Sequence, residues 1–114
     1  MTPSQFRKLA LQLPEAVEGE HHDHPDFRVG GKIFATIGPD ATWGMVKLKS
    51  ELQTKLVRDE SDAFSAFPGK WGEYGATKVV FEYAPIEQVE QALLAAWRNV
   101  APKKMLAKYE GEDA

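Results

Sequence analysis

Hydrophobic positions at the amino-terminal end of the chain recur at the spacing of one helix face. Thr2 and Gln5 form a capping-box pattern, Pro3 suits the first helical turn, and Pro14 ends the run. The pattern therefore predicts a short amphipathic helix between Thr2 and Pro14. Its buried stripe would be Phe6, Leu9, Ala10 and Leu13.

Two further helices are predicted by the same period. A second capping-box pattern begins at Ser50 and precedes the apolar positions Leu52, Leu56 and Val57. The last helix begins at Pro85 and is broken or kinked at Pro102, because proline lacks an amide hydrogen. Its inner face would be Ile86, Val89, Leu93, Ala96, Trp97 and Val100.

The pattern changes to period two between the first two helices, which is typical of strands. Residues 27–29 and 32–37 flank Gly30-Gly31, so they are predicted to form a hairpin with a two-residue turn. Residues 43–49 and 77–83 are predicted to be strands, and part of 17–24 a strand that leads to Pro25. Residues 59–75 follow no period and are predicted to be a long loop, with one helical turn at 61–64. Its aromatic side chains are Phe64, Phe67, Trp71 and Tyr74.

Strands that are grouped between helices and joined by hairpins indicate an antiparallel sheet. We predict an α+β two-layer sandwich with the helices on one face of the sheet. The expected order is one helix, three strands, a helix, one or two strands, and a helix. Residues 1–108 would form one domain, and the polar residues 109–114 a frayed tail.

Composition narrows the class of protein. The chain has 114 residues, 43% of them hydrophobic, so one domain can bury a core of its own. It contains no cysteine, which excludes disulfides and thiolate chemistry and fits a reducing compartment. The sequence shows no signal peptide. No apolar run approaches the length of roughly 20 residues that a membrane span needs. We therefore expect a cytoplasmic protein without membrane partners. The net charge of −3 argues against nucleic-acid binding by bulk charge alone.

Period-two alternation assigns the strand residues to two faces of the sheet. One set is aliphatic and is predicted to face the helices: Phe27, Val29, Ile33, Ala35, Ile37, Val46 and Leu48. The other set is predicted to face solvent: Asp26, Arg28, Lys32, Phe34, Thr36, Trp43, Met45, Lys47 and Lys49. This second face is either an ordinary exposed sheet surface or a binding platform, on which rings stack on bases and lysines neutralise phosphates.

The three histidines of the chain lie within His21-His22-Asp23-His24. If this segment is extended, His22 and His24 point to one side, where Asp26 could add an oxygen ligand. A catalytic zinc site needs three protein ligands, and no aspartate or glutamate is singled out by its spacing as a further ligand. We therefore predict no metal or other cofactor, with His22, His24 and Asp26 as weak candidates. No nucleophile elbow or phosphate loop is present, and we do not expect an enzyme.

Three segments of the chain resemble the MmcQ/YjbR-like family, in the same order along nearly its whole length. They are His22 to Ala35, Trp71-Gly72 with Gly75 and Thr77, and Ala96-Trp97-Arg98 with residues 100–104. The resemblance implies a compact α+β domain of the secretion-chaperone-like or CyaY-like kind, with DNA binding as the role usually ascribed to members. The matching motif positions are Pro25, Asp26, Phe27, Arg28, Lys32, Phe34, Trp71, Gly72, Trp97, Pro102 and Lys103. Glu73-Tyr74 stands where relatives often carry basic residues, which lowers the charge available for DNA.

Three hypotheses for function follow. The first is a DNA- or RNA-binding module with weak, salt-dependent affinity. Its candidate residues are Arg28, Lys32, Phe34, Trp43, Lys47, Lys49, Lys103 and Lys104. The alternative is a chaperone-like domain that binds proteins or peptides through the same face and the aromatic residues of 64–74. The third is a small-molecule or metal site near His22 and His24. For each, we expect a monomer or a weak dimer.

Overall fold

Five helices and six strands lie within residues 1–111, the part of the chain that the computed structural model describes. The helices are α1 (Pro3–Leu11), α2 (Ser50–Asp59), α3 (Gly69–Glu73), α4 (Ile86–Val100) and α5 (Lys103–Gly111). The strands are β1 (Val17–His21), β2 (His24–Val29), β3 (Lys32–Ile37), β4 (Trp43–Lys47), β5 (Phe64–Ala66) and β6 (Ala76–Val80). None of these helices is both long and apolar enough to cross a bilayer.

The helix ends follow the local sequence with one exception. Thr2 and Gln5 form the predicted capping box at α1. At α2 the predicted box is wrong: the capping position is Lys49, Ser50 is already helical, and no side chain caps the helix. The break at Pro102 is confirmed, since Ala101 leaves the helical conformation and α5 begins at Lys103.

The six strands form one antiparallel sheet in the order β1-β2-β3-β4-β6-β5. The predicted α+β class is therefore confirmed, with four strands rather than three between α1 and α2. The fourth strand is β1, which lies in the segment 17–24 where a strand was predicted, and it pairs with β2 through a turn at His22 and Asp23. Both turn residues have positive φ angles, 50° and 65°, as a tight two-residue hairpin turn requires. An extended segment through residues 21–24, the condition under which His22 and His24 would point to one side, is therefore not met at these two positions.

The β2–β3 hairpin contains an irregularity that the alternation did not predict. Phe27 pairs with Ala35, whereas the next residue, Arg28, pairs with Ile33. Phe34 is thus an extra residue on β3, which makes a β-bulge and reverses the alternation on either side of it. The Gly30-Gly31 turn is confirmed, with φ angles of 59° and 80°.

One hydrophobic cluster fills the space between the sheet and the helices. Side chains of α1, α2 and α4 belong to it, and Met105, Leu106 and Tyr109 of α5 pack against it. We call the sheet side that carries Phe27, Ala35, Val46 and Val79 the inner face, and the opposite side the outer face. The ring of Tyr109 lies 5.9 Å from that of Trp97. The predicted frayed tail, 109–114, therefore begins inside α5, and residues 112–114 lie outside the described part of the chain.

Residues 59–75 are more ordered than the predicted loop. They form the edge strand β5 and the short helix α3. Phe64 lies in the core, and a Cβ atom at Gly72 would overlap the backbone carbonyl of Phe67, so only glycine fits there. This close approach folds the segment back against the sheet and places Trp71 beside the outer face.

Candidate ligand-binding pocket on the outer sheet face

A cavity of about 360 Å³ lies on the outer face, and we call it the outer pocket. Its volume is within the range of about 300 to 1,000 Å³ that is usual for small-molecule sites. The cross-strand partners Thr36 and Met45 are its most buried lining residues, at 5% and 3% exposure. The other lining residues are His21, His22, His24, Ile33, Pro39, Trp43, Lys47 and Trp71.

The β1–β2 turn brings the histidines to one wall of the outer pocket. His21 and His24 are cross-strand partners, and their ring centroids are 4.4 Å apart. His21 Nδ1 lies 2.8 Å from Asp26 Oδ2, and His24 Nδ1 lies 2.8 Å from the carbonyl oxygen of Ile37. The predicted pairing of His22 with His24 is wrong in its geometry, because the turn places His21 opposite His24.

Asp26 is a fully buried carboxylate beneath this wall. Arg28 donates to both of its oxygens, at 2.8 and 2.9 Å, and His21 binds Oδ2 as well. Hydrogen bonding from Arg28, followed by that from His21, holds the pKa of Asp26 below its ordinary value of 3.8 although burial opposes this. A Cβ atom at Gly19 would lie 2.8 Å from Asp26 Oδ1, so a glycine on β1 leaves room for the ion pair.

Aromatic side chains form the opposite wall. The ring of Phe67 lies 5.7 Å from that of Trp43 and 4.7 Å from that of Trp71, so it joins the two indoles. A methyl group at Gly38 would overlap the Trp43 ring, which shows that the ring lies directly on the backbone there. Lys78 of β6 places its Nζ 5.4 Å from the centre of the Trp43 ring.

The bulge in β3 changes three of the predicted face assignments, those of Phe34, Ile33 and Lys32. Phe34, predicted to be an exposed stacking surface, is 0% exposed and lies in the core. Ile33, predicted to be a core residue, lines the outer pocket opposite Arg28. The reason is the extra residue itself, since one inserted position turns every side chain beyond it to the other face.

The predicted cations do not share one face. Lys47 lines the outer pocket, and Arg28 lies on the same face but is engaged by Asp26. Lys49 lies beyond the end of β4, at the start of α2, where it lines a groove against α4. Lys32 pairs with Val29, an inner-face residue, at the β2–β3 turn. The prediction of four cations together on the solvent side of the sheet is therefore wrong.

Lys103 and Lys104 lie at yet another place. They begin α5 directly after Pro102, whose ring occupies the space where a Cβ atom of Gly30 would lie. They are therefore near the β2–β3 turn, at the end of β2 away from His24. Whether these lysines bind an anion stays a prediction.

Four residues of the outer pocket or its rim belonged to none of the predicted binding surfaces: His21, Ile33, Pro39 and Lys78. Lys78 carried a signal, because it alternates with Thr77 and Val79 as an outward strand residue would. Trp71 and Tyr74 are 55% and 80% exposed. Protein or peptide binding by this aromatic surface also stays a prediction.

The structure does not bring together the weak metal candidates. Both carboxylate oxygens of Asp26 are engaged by Arg28 and His21, which leaves His22 and His24 without an oxygen ligand from it. Among residues 1–111, no group of three or more His, Asp or Glu side chains is placed to hold a metal ion.

Comparisons with known proteins identify the family and the fold. The model of the YjbR family matches residues 11–99. The fold is similar to the crystal structure of Deinococcus radiodurans protein DR2400, which has a DUF419 domain, with a TM-score of 0.73. The sequences are 18% identical, and the match covers 90% of this chain and 80% of that one. No curated protein matches the sequence significantly.

Proposed function

We propose that this protein, which belongs to the YjbR family, binds a nucleotide unit in its outer pocket. By a nucleotide unit we mean one planar base with its sugar and phosphate, supplied either by a single strand of nucleic acid or by a free nucleotide. The observation that carries the proposal is the placement of two indole rings, Met45 and Lys47 around one cavity of about 360 Å³.

The aromatic wall supplies a stacking surface for the base. Trp43 and Trp71 are held by Phe67 between them, so little side-chain freedom is lost when a ring binds. Stacking of a base on an aromatic side chain contributes about 1–3 kcal/mol. The pocket admits a base only when it is unstacked from its neighbours, which favours a single strand over a duplex.

Positive charge for the phosphate comes from Lys47, with Lys78 beside the Trp43 ring. Two phosphate contacts on a single strand release few counterions, so the slope of log affinity against log salt should be no steeper than about −1.4. This is a weaker salt dependence than a platform of four cations would give. It fits a protein with a net charge of −3.

Tryptophan fluorescence provides a direct binding assay. Trp97 is 2% exposed and lies in the core, so changes on titration report Trp43 and Trp71. We expect saturable changes with a single-stranded oligonucleotide at low salt, and weaker binding of the duplex of the same sequence. A parallel titration with a mononucleotide shows whether the unit must come from a strand. Failure of both single strand and mononucleotide to bind, or equal affinity for the duplex, would contradict the proposal.

A matched pair of charge reversals tests the location of the site. Lys47→Glu should weaken binding about tenfold or more, whereas Lys49→Glu, two residues along the chain, should change it less than about twofold. The reason is that Lys47 lines the outer pocket and Lys49 lies in a groove on the helix side. Equal losses in the two variants would place binding elsewhere.

A further inference from the structure

The hydrogen-bond partners of His21 and His24 in the outer pocket determine which ring nitrogen of each histidine carries a hydrogen. A carboxylate and a backbone carbonyl can only accept hydrogen bonds, so Nδ1 of both His21 and His24 must carry a hydrogen. Arg28 already balances the charge of Asp26, so His21 can donate as a neutral imidazole. In the neutral rings the Nε2 atoms then hold lone pairs, and both rings line the cavity.

Two unprotonated imidazole nitrogens in one wall are complementary to a ligand that donates hydrogen bonds in place of water, which reaches the partly exposed His21. A zinc ion would need three protein ligands, and no such group is present in residues 1–111. A phosphate oxygen would also be a poor partner, because it is an acceptor like the nitrogens themselves. The remaining complementary groups are hydroxyl or amino groups of a bound ligand.

The sheet geometry indicates which part of a nucleotide reaches this wall. His24 begins β2 and His21 ends β1, whereas Trp43 begins β4, so Trp43 is two strand spacings, about 10 Å, from His24 and three, about 14 Å, from His21. A base that stacks on the indoles therefore directs its attached sugar, rather than its own edge, toward the histidines. The donors that a sugar offers are its hydroxyl groups.

We propose that Nε2 of His21 and Nε2 of His24 accept hydrogen bonds from ribose hydroxyl groups, so that the outer pocket prefers ribonucleotides to 2′-deoxyribonucleotides. This inference rests on the proposed function and names the substrate class of the same site. Within a strand the 3′-hydroxyl is esterified, so the 2′-hydroxyl alone distinguishes RNA from DNA.

The first test compares ligands on the unaltered protein. A ribonucleotide, its 2′-deoxy form and its 3′-deoxy form are titrated by tryptophan fluorescence, and matched RNA and DNA oligonucleotides follow. Loss of one hydrogen bond should weaken binding about 3- to 10-fold. Equal affinity for the ribose and 2′-deoxy forms would overturn the inference while leaving nucleotide binding intact. No binding of any of them would instead refute the proposed function.

The second test uses variants that keep a flat ring and remove the acceptor. Of His21→Phe and His24→Phe, the variant that removes the acceptor of the 2′-hydroxyl should lower the ribose preference toward 1, and the other should weaken binding of the ribose and 2′-deoxy mononucleotides alike. Arg28 still occupies both oxygens of Asp26 in His21→Phe, so the fold should persist. Circular dichroism checks the folding of each variant. A ribose preference that survives in both folded variants would overturn the inference.

Discussion

The β-bulge at Phe34 changes which of two neighbouring side chains, Phe34 or Ile33, is expected to contribute more to stability. Replacing Phe34 with alanine should destabilise the protein severely, because its side chain is fully buried in the core. Replacing its neighbour Ile33 should cost much less, because that side chain lies on the outer face and is partly exposed. Regular alternation from Phe27 would predict the opposite order.

The expected magnitudes follow from burial. A buried phenylalanine removes about 150–250 Å² from water, and truncation to alanine typically costs about 3–5 kcal/mol. For Phe34→Ala we expect a value within that range. A fully buried isoleucine costs about 2–5 kcal/mol on truncation, and the partial exposure of Ile33 reduces the expectation to about 1–2 kcal/mol.

Urea unfolding followed by circular dichroism measures both variants. The midpoint should fall further for Phe34→Ala than for Ile33→Ala, with similar slopes against urea if both remain two-state. The pair is a matched control, because the two positions are adjacent on one strand. An Ile33→Ala cost equal to or above that of Phe34→Ala would refute the bulge and the face assignments that depend on it.

Two further predictions concern stability. Hydrogen bonding from Arg28 lowers the pKa of Asp26, so its pairing contributes stability that is fully present above the unfolded value of 3.8 and is lost as the pH falls through the lower folded value. Urea titrations between about pH 2 and 7 measure this effect. The free energy of unfolding of the wild type should decline below about pH 4, and that of Asp26→Asn should decline less. Parallel curves of free energy against pH for the two proteins would contradict this. Gly72→Ala should destabilise by about 3 kcal/mol or more, because the added methyl overlaps the carbonyl of Phe67. The control Gly69→Ala has open space and only backbone strain, so thermal unfolding should show a smaller loss, and equal losses would refute the close approach.

The family assignment and the fold agree in two independent respects. The YjbR family match spans 11–99, which includes every strand and most of α4. The DR2400 domain shares the fold at 18% identity, a level at which the fold is informative and the ligand is not. The proposed binding role therefore rests on the outer pocket of this chain and on the experiments above.

The sequence by itself determined the elements that depend on neighbouring residues. The α1 capping box, the break at Pro102 and the Gly30-Gly31 turn each follow from the chemistry of a few adjacent positions. Hydrophobic periodicity was equally informative for α4, whose buried residues include Val89, Leu93, Ala96 and Trp97. The α+β class followed from the order of such elements.

Only the tertiary structure decided which side chains meet at the outer pocket. The bulge at Phe34 depends on how β2 and β3 align over their length, and one extra residue is invisible to a period of two. Lys78 lies beside Trp43 because β6 pairs with β4, although α2, β5 and α3 separate the two strands in sequence. His21 lies opposite His24 because His22 and Asp23, neither of which is glycine, adopt positive φ angles at the turn. Local chemistry specifies helices, turns and alternation, whereas register and strand order are set by contacts between distant residues, and those contacts make the site.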